Sequence, residues 1–170
     1  MRRPPVRVPR SARRSHVTLA LVLSLMPVAV SALAAQSDRW DRQVEAGLAR
    51  STRLLRERGY AAAGRQFRGL LNTEESDRLE VPVARGEYVI VGTCDDDCTG
   101  LHLVVSNPTG YEIDAARGPG NAPIITIRPP ALTGAYLVTV TMAGCRVSPC
   151  RYGIMVYQRP DGAEKAGKAE

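Results

Sequence analysis

From residue 36 onward the sequence holds a single histidine, His102, no G-x-S-x-G segment and no net charge. Nucleophilic catalysis needs a nucleophile, a base and a group that orients the base, all within hydrogen-bond reach. No such set is recognisable, so His102 reads as an outward or internally satisfied histidine and the chain as a non-enzyme. The glycine-rich stretch Arg117-Gly-Pro-Gly-Asn121 lacks a phosphate-cradle pattern and opens no helix, which leaves it a loop. The whole chain carries +6, but six of its 23 basic residues are Arg2, Arg3, Arg7, Arg10, Arg13 and Arg14. The other 17 face 17 acids. Nucleic-acid binding needs a basic patch to neutralise phosphates, and the balanced remainder shows none. There is no internal repeat.

The N-terminal arginines have a different meaning. Residues 1–16 are basic without an acid, Val17 to about Ala35 is apolar with a break at Pro27, and the run ends in Ser31-Ala-Leu-Ala-Ala35. A charged region, an apolar region and a small-residue site make residues 1–35 a signal peptide, cleaved near Ala34 or Ala35. The rival is an uncleaved anchor, since the run approaches the roughly 20 residues that span a bilayer; Pro27 and the small residues favour cleavage. No cysteine follows the run to carry a lipid, and Arg13-Arg14 followed by Ser15 and His16 fits a twin-arginine signal poorly. The expected location is the periplasm or the exterior of a bacterium, with no membrane span after cleavage. Export makes an even set of cysteines a disulfide framework. Of the three possible pairings, Cys94–Cys98 and Cys145–Cys150 each close one hairpin-like loop. A crossed pairing stays open if both loops lie at one end of the fold, and a zinc site on all four is the functional rival.

The remaining chain suits one domain of about 135 residues. Residues 36–60 read as a helix: Trp40, Val44, Leu48 and Leu55 fall on one face, Ser37 or Asp38 can cap it, and Gly59 stops it, with Leu55 and Tyr60 placed for a Schellman contact. Its other face is rich in arginine, a solvated or partner-docking surface. Residues 61–159 read as a β-sandwich. Arg65 to Leu71 is ambiguous between strand and helix. Leu79, Val81 and Val83 alternate, with Pro82 marking an edge. Tyr88, Ile90, Gly92 and Cys94 share a face, as do Leu101, Leu103 and Val105. Tyr111 and Ile113, Ile124 to Ile127 before Pro129-Pro130, Tyr136 to Met142 and Tyr152 to Tyr157 complete seven to eight short antiparallel strands. Residues 160–170 lack sizeable apolar side chains and are expected to be disordered.

The stretch Gly86-Glu-Tyr-Val-Ile-Val-Gly-Thr-Cys-Asp-Asp-Asp-Cys-Thr-Gly-Leu-His-Leu103 resembles the bacterial pre-peptidase C-terminal domain, above all small secreted members with a C-D-x-D-C loop. So do Pro129 to Val140 and the Cys145–Cys150 loop, and the resemblance covers roughly residues 60–158. It implies a jelly-roll-like sandwich and an accessory role beside secreted hydrolases, some relatives binding calcium or matrix polymers. The sequence as it stands carries no protease and is expected to act as a stand-alone module. It departs from the family where relatives read Asp-Leu-Asp-Leu and an acidic turn: here stand Gly100, Leu101, His102, Leu103 and Asn107. Calcium takes six to eight oxygen ligands. Asp95, Asp96 and Asp97 remain as candidate ligands, but consecutive residues in a tight loop cannot all face one ion. No other cofactor is implied. Tyr88, Tyr111, Tyr136, Tyr152 and Tyr157 could line a sugar-binding face or fill the core. The leading expectation is a non-catalytic exported module with a protein partner; the alternative is a glycan- or calcium-binding module.

Overall fold

A computed structural model describes residues 39–128 and 133–159. The expected signal peptide, the caps at Ser37 or Asp38, Pro129-Pro130 and the tail from residue 160 lie outside the described residues. Helix α1 occupies residues 39–56. Val44 and Leu48 are buried while Arg42, Arg50, Arg53 and Arg56 are exposed, as a period near 3.6 dictates. Gly59 takes φ 81°, where a side chain would be strained. There the Tyr60 amide donates to the Leu55 carbonyl and the Gly59 amide to the Arg56 carbonyl, both at 3.0 Å. Leu55 packs with Tyr60, which completes the Schellman ending.

Nine strands follow: β1 (Ala61–Ala62), β2 (Phe67–Leu71), β3 (Ser76–Val83), β4 (Glu87–Cys94), β5 (Cys98–Ser106), β6 (Glu112–Ala116), β7 (Ile124–Ile127), β8 (Gly134–Cys145) and β9 (Cys150–Arg159). The count exceeds the expected seven to eight because the two-residue β1 pairs with Gln158 and Tyr157 of β9. The ambiguous 65–71 stretch is the strand β2, in register with β9 from Phe67 opposite Ile154 to Leu71 opposite Cys150. Its alternation, with Leu71 buried, is the period of a strand.

The pairing is nested. β2 pairs with β9, β3 with β8, β4 with β7 and β5 with β6, all antiparallel. Cross-pairs of β4 with β9 and β5 with β8 join these into two sheets, β2-β9-β4-β7 and β3-β8-β5-β6, with β1 also along β9. A long hairpin rolled over itself gives this order, which is the jelly roll. β3, with Pro82, is an edge as its composition requires.

The main core fills the space between the sheets with Ile90, Leu103, Val138, Val140, Tyr152 and Ile154 among its members. A second cluster lies on the opposite face of the β9-β4 pair: Tyr60, Val89, Val91 and Tyr157, with Leu55 and Met155 against it. The helix supplies its cover. Gly153 permits the approach, because a Cβ there would stand 2.7 Å from Val44 Cγ1 and 2.9 Å from Leu48 Cδ1. Thr52 Oγ1 and Tyr157 Oη share a hydrogen bond of 2.7 Å. The described residues therefore form three layers, and α1 fixes what the Cys-loop end can display.

Candidate functional site

The disulfides are Cys94–Cys98 and Cys145–Cys150. Cys98 lies opposite Cys145 in the β5–β8 register, so both loops occupy one end of the sandwich. The Arg146 amide donates to the Asp97 carbonyl at 2.7 Å and locks one loop to the other. Among the described residues no cysteine is free.

Within the acidic loop the three carboxylates point to three different places. Asp95 is turned inward at 2% exposure. Its Oδ2 accepts the Arg151 amide at 2.7 Å, while Oδ1 is buried without a hydrogen bond among the described residues. Burial pushes its carboxyl above the ordinary range, opposed by the pull of the Arg151, Cys98 and Asp97 amides. The folded state thus holds the Asp95 proton more tightly than the unfolded chain, and this group's cost to stability is relieved as pH falls. Asp96 exchanges two bonds with Gln43 of α1: Gln43 Nε2 donates to Asp96 Oδ2 at 2.5 Å, and the Asp96 amide donates to Gln43 Oε1 at 3.2 Å. Asp97 Oδ2 accepts from the Trp40 indole at 3.1 Å.

Arg151 completes the junction. Its Nε pairs with Asp41 of α1 at 2.9 Å and its guanidinium sits 5.4 Å from the Trp40 ring centroid, within cation–π range. One turn of helix therefore makes contacts with both the acidic loop and β9. Trp40, Gln43 and Arg151 were not legible as parts of this junction. Trp40 and Asp97 are 57 residues apart, and periodicity places Trp40 only on the apolar face of the helix.

This geometry sets the expectation for calcium. A cation would have to draw carboxylates away from Gln43, Trp40 and the Arg151 amide, and among the described residues no group of three or more His, Cys, Asp or Glu side chains is arranged to hold a metal. The melting temperature is expected to stay the same, within about a degree, between millimolar calcium and chelator. Tight binding would raise stability by about 2.7 kcal/mol at a hundredfold ligand excess, a shift of several degrees. A rise of that size, abolished by Asp95→Ala or Asp97→Ala, would reinstate the ion.

His102 lies opposite Thr141 on the outer face of the β3-β8-β5-β6 sheet, half-buried between strands. The tyrosines do not form a row. Tyr88, Tyr136, Tyr152 and Tyr157 are core residues and only Tyr111, at 74% exposure, stands in solvent. Tyr152 donates from its hydroxyl to Asp77 Oδ2 at 2.6 Å, tying β9 of one sheet to the edge strand β3 of the other. Tyr60, a further buried tyrosine, lies under the Arg159 guanidinium at 4.8 Å.

Two hollows border α1 on the β7 side. One, about 480 Å³, is walled by Leu55 of the helix, Arg58 of the turn that follows it, and Ile124, Thr126 and Arg128, over Val89. The other, about 300 Å³, runs from Gly47 and Arg50 to Thr93, Asn121 and Ala122. Glu87 lies in the first, paired with Arg159 and, at 3.5 Å, with Arg128.

No family model and no curated protein matches the chain. Its fold is similar to several solved structures. The pre-peptidase C-terminal domain of a collagenase from Bacillus anthracis shares 15% identity over 54% of this chain and 87% of that one, with a TM-score of 0.43. PliG of Aeromonas hydrophila, a periplasmic inhibitor of g-type lysozyme, shares 17% over 56% and 88%, with a TM-score of 0.37. FlhE shares 12% over 59% and 98%, with a TM-score of 0.31.

Proposed function

We propose that this protein is an exported, non-catalytic β-sandwich module with an accessory, protein-binding role in the cell envelope or outside the cell. One observation carries the reading: the polar side chains gathered at the Cys-loop end bond to the fold itself. Asp95 holds the Arg151 amide, Asp96 holds Gln43, Asp97 holds Trp40 and Arg151 holds Asp41. Groups committed in this way build a rigid scaffold and leave none of their number poised toward a substrate. What the scaffold presents is surface: the arginines of α1, the clamped loop with Val147 exposed at its tip, and the open outer face of the second sheet. Such pre-organised surfaces suit protein recognition, since little order has to be imposed on binding. The two disulfides support an oxidising compartment.

The test places a photo-cross-linking amino acid at Arg53, Val147 or Ile113 in the protein expressed in its native host. The exported chain is expected to begin around Ala35 or Gln36 and to yield a discrete protein adduct from at least one position. A chain that keeps Met1 in the membrane fraction removes the export part. Adducts at none of the three positions remove the partner.

A further inference from the structure

We infer that the trough between α1 and β7 is the docking site for an extended acidic segment of a partner protein, with an apolar side chain seated at Ile124. The inference deepens the protein-binding reading and rests on it. The sheet order is β9-β4-β7, and α1 is centred over β9 through Gly153 and Tyr157. A helix about 10 Å across covers two strands spaced about 4.8 Å apart. It therefore shields β9 and β4, where Val89 and Val91 are buried, and leaves the outer face of β7 bare. Ile124 is 58% exposed there. The two hollows follow one another along β4, one over Val89 and the next beside Thr93, so that a chain laid between α1 and β7 would pass over both.

Charge selects the occupant. Arg50, Arg58, Arg128 and Arg159 line the two hollows, against Glu87 and Asp96. Glu87 is already paired with both Arg159 and Arg128, and Asp96 is bonded to Gln43. The balance is cationic although the chain from residue 36 onward is neutral, because residues remote in sequence are collected along one side of α1. A segment rich in Asp and Glu gains complementary charge along the walls, which steers encounter and fixes orientation. Extended peptides laid along a sheet, with alternate side chains in pockets, are a recurring recognition mode.

The experiment pans a display library of random decapeptides against the purified exported protein and measures the selected peptides by fluorescence anisotropy. Enrichment of acidic residues around at least one aliphatic residue is expected. Binding should weaken at least tenfold in the double variant Arg58→Glu/Arg128→Glu and in Ile124→Asp, and it should fall as salt rises. All three substituted residues are exposed, and unchanged melting temperatures confirm that the variants fold. No enrichment, enrichment without acidic bias, or selected peptides that bind the variants equally well would overturn the inference. So would co-sedimentation with phosphatidylglycerol vesicles that the double variant abolishes while no peptide binds, since the occupant is then a membrane surface. Protein adducts at Val147 or Ile113 alongside a failed selection would leave the protein-binding role standing and remove only this site.

Discussion

Replacing all four cysteines by alanine is expected to lower the unfolding free energy by about 4 kcal/mol. The rings closed by Cys94–Cys98 and Cys145–Cys150 are short, with sequence separations of 4 and 5. Loop-closure entropy then gives about 2 kcal/mol for each. In a domain of this size each kcal/mol moves the melting temperature by roughly 3–6 °C. Alanine is the right replacement because Cys94, Cys98 and Cys150 are buried, and a serine hydroxyl there would add its own desolvation cost. The chain's single tryptophan reports the local consequence. Removing the first bridge alone loosens the loop that holds Asp97 against Trp40, so the emission of Trp40 should shift before global unfolding. Four alkylatable thiols in the exported protein, or a loss under 1 kcal/mol on full replacement, would show that the bridges do not hold the fold.

The second large effect centres on Tyr152. Truncation to alanine is expected to cost about 3–5 kcal/mol, as for other large aromatic side chains removed from a core. Tyr152→Phe keeps the ring and loses only the bond to Asp77, about 1 kcal/mol, read by denaturant unfolding. The pair separates packing from the inter-sheet bond. Alkaline pH provides a further readout. Burial, followed by the bond to Asp77, pushes the Tyr152 hydroxyl well above its ordinary 10.0, and burial raises Tyr157 as well. Below pH 10 both states keep these protons, so their contribution is whole. Above it the unfolded chain releases them before the folded one does. Stability is lost as pH rises, by up to about 1.4 kcal/mol per unit for each tyrosine. Tyr152→Phe should flatten that slope by one residue's share; an unchanged slope would mean that Tyr152 ionises freely in the folded state.

What the sequence discloses and what it hides divide along physical lines. Local periodicity is visible: the helix face of Trp40, Val44, Leu48 and Leu55, its ending at Gly59, the alternation of Leu79, Val81 and Val83, and the edge position announced by Pro82. Each depends on residues within a few positions of one another. Arg65 to Leu71 was undecidable because a five-residue strand contains too few repeats to separate a period of 2 from one of 3.6. Its identity comes from β9, about 80 residues away. The junction of Trp40, Gln43 and Arg151 with the acidic loop was hidden for the same reason. Balanced net charge concealed the cationic trough as well: composition counts charges, while Arg50, Arg58, Arg128 and Arg159 acquire a common field only through the docking of α1.

β9 also governs the order in which the molecule can be assembled. It contacts β1, β2 and β4 and carries Gly153 and Tyr157 beneath the helix. It is the last of the described strands to emerge, whether from a ribosome or from a translocation pore. Until it arrives, β2 has no partner, β4 has only β7, and the apolar stripe of α1 has only β4 to lie on, without Gly153 and Tyr157 beneath Val44, Leu48 and Thr52. Partial folding from the N-terminus is thereby denied a stable stopping point, and closure of these long loops makes the ascent to the native state slow. A chain stalled before residue 150 should be digested by protease along its whole length, whereas the finished chain becomes resistant in a single step.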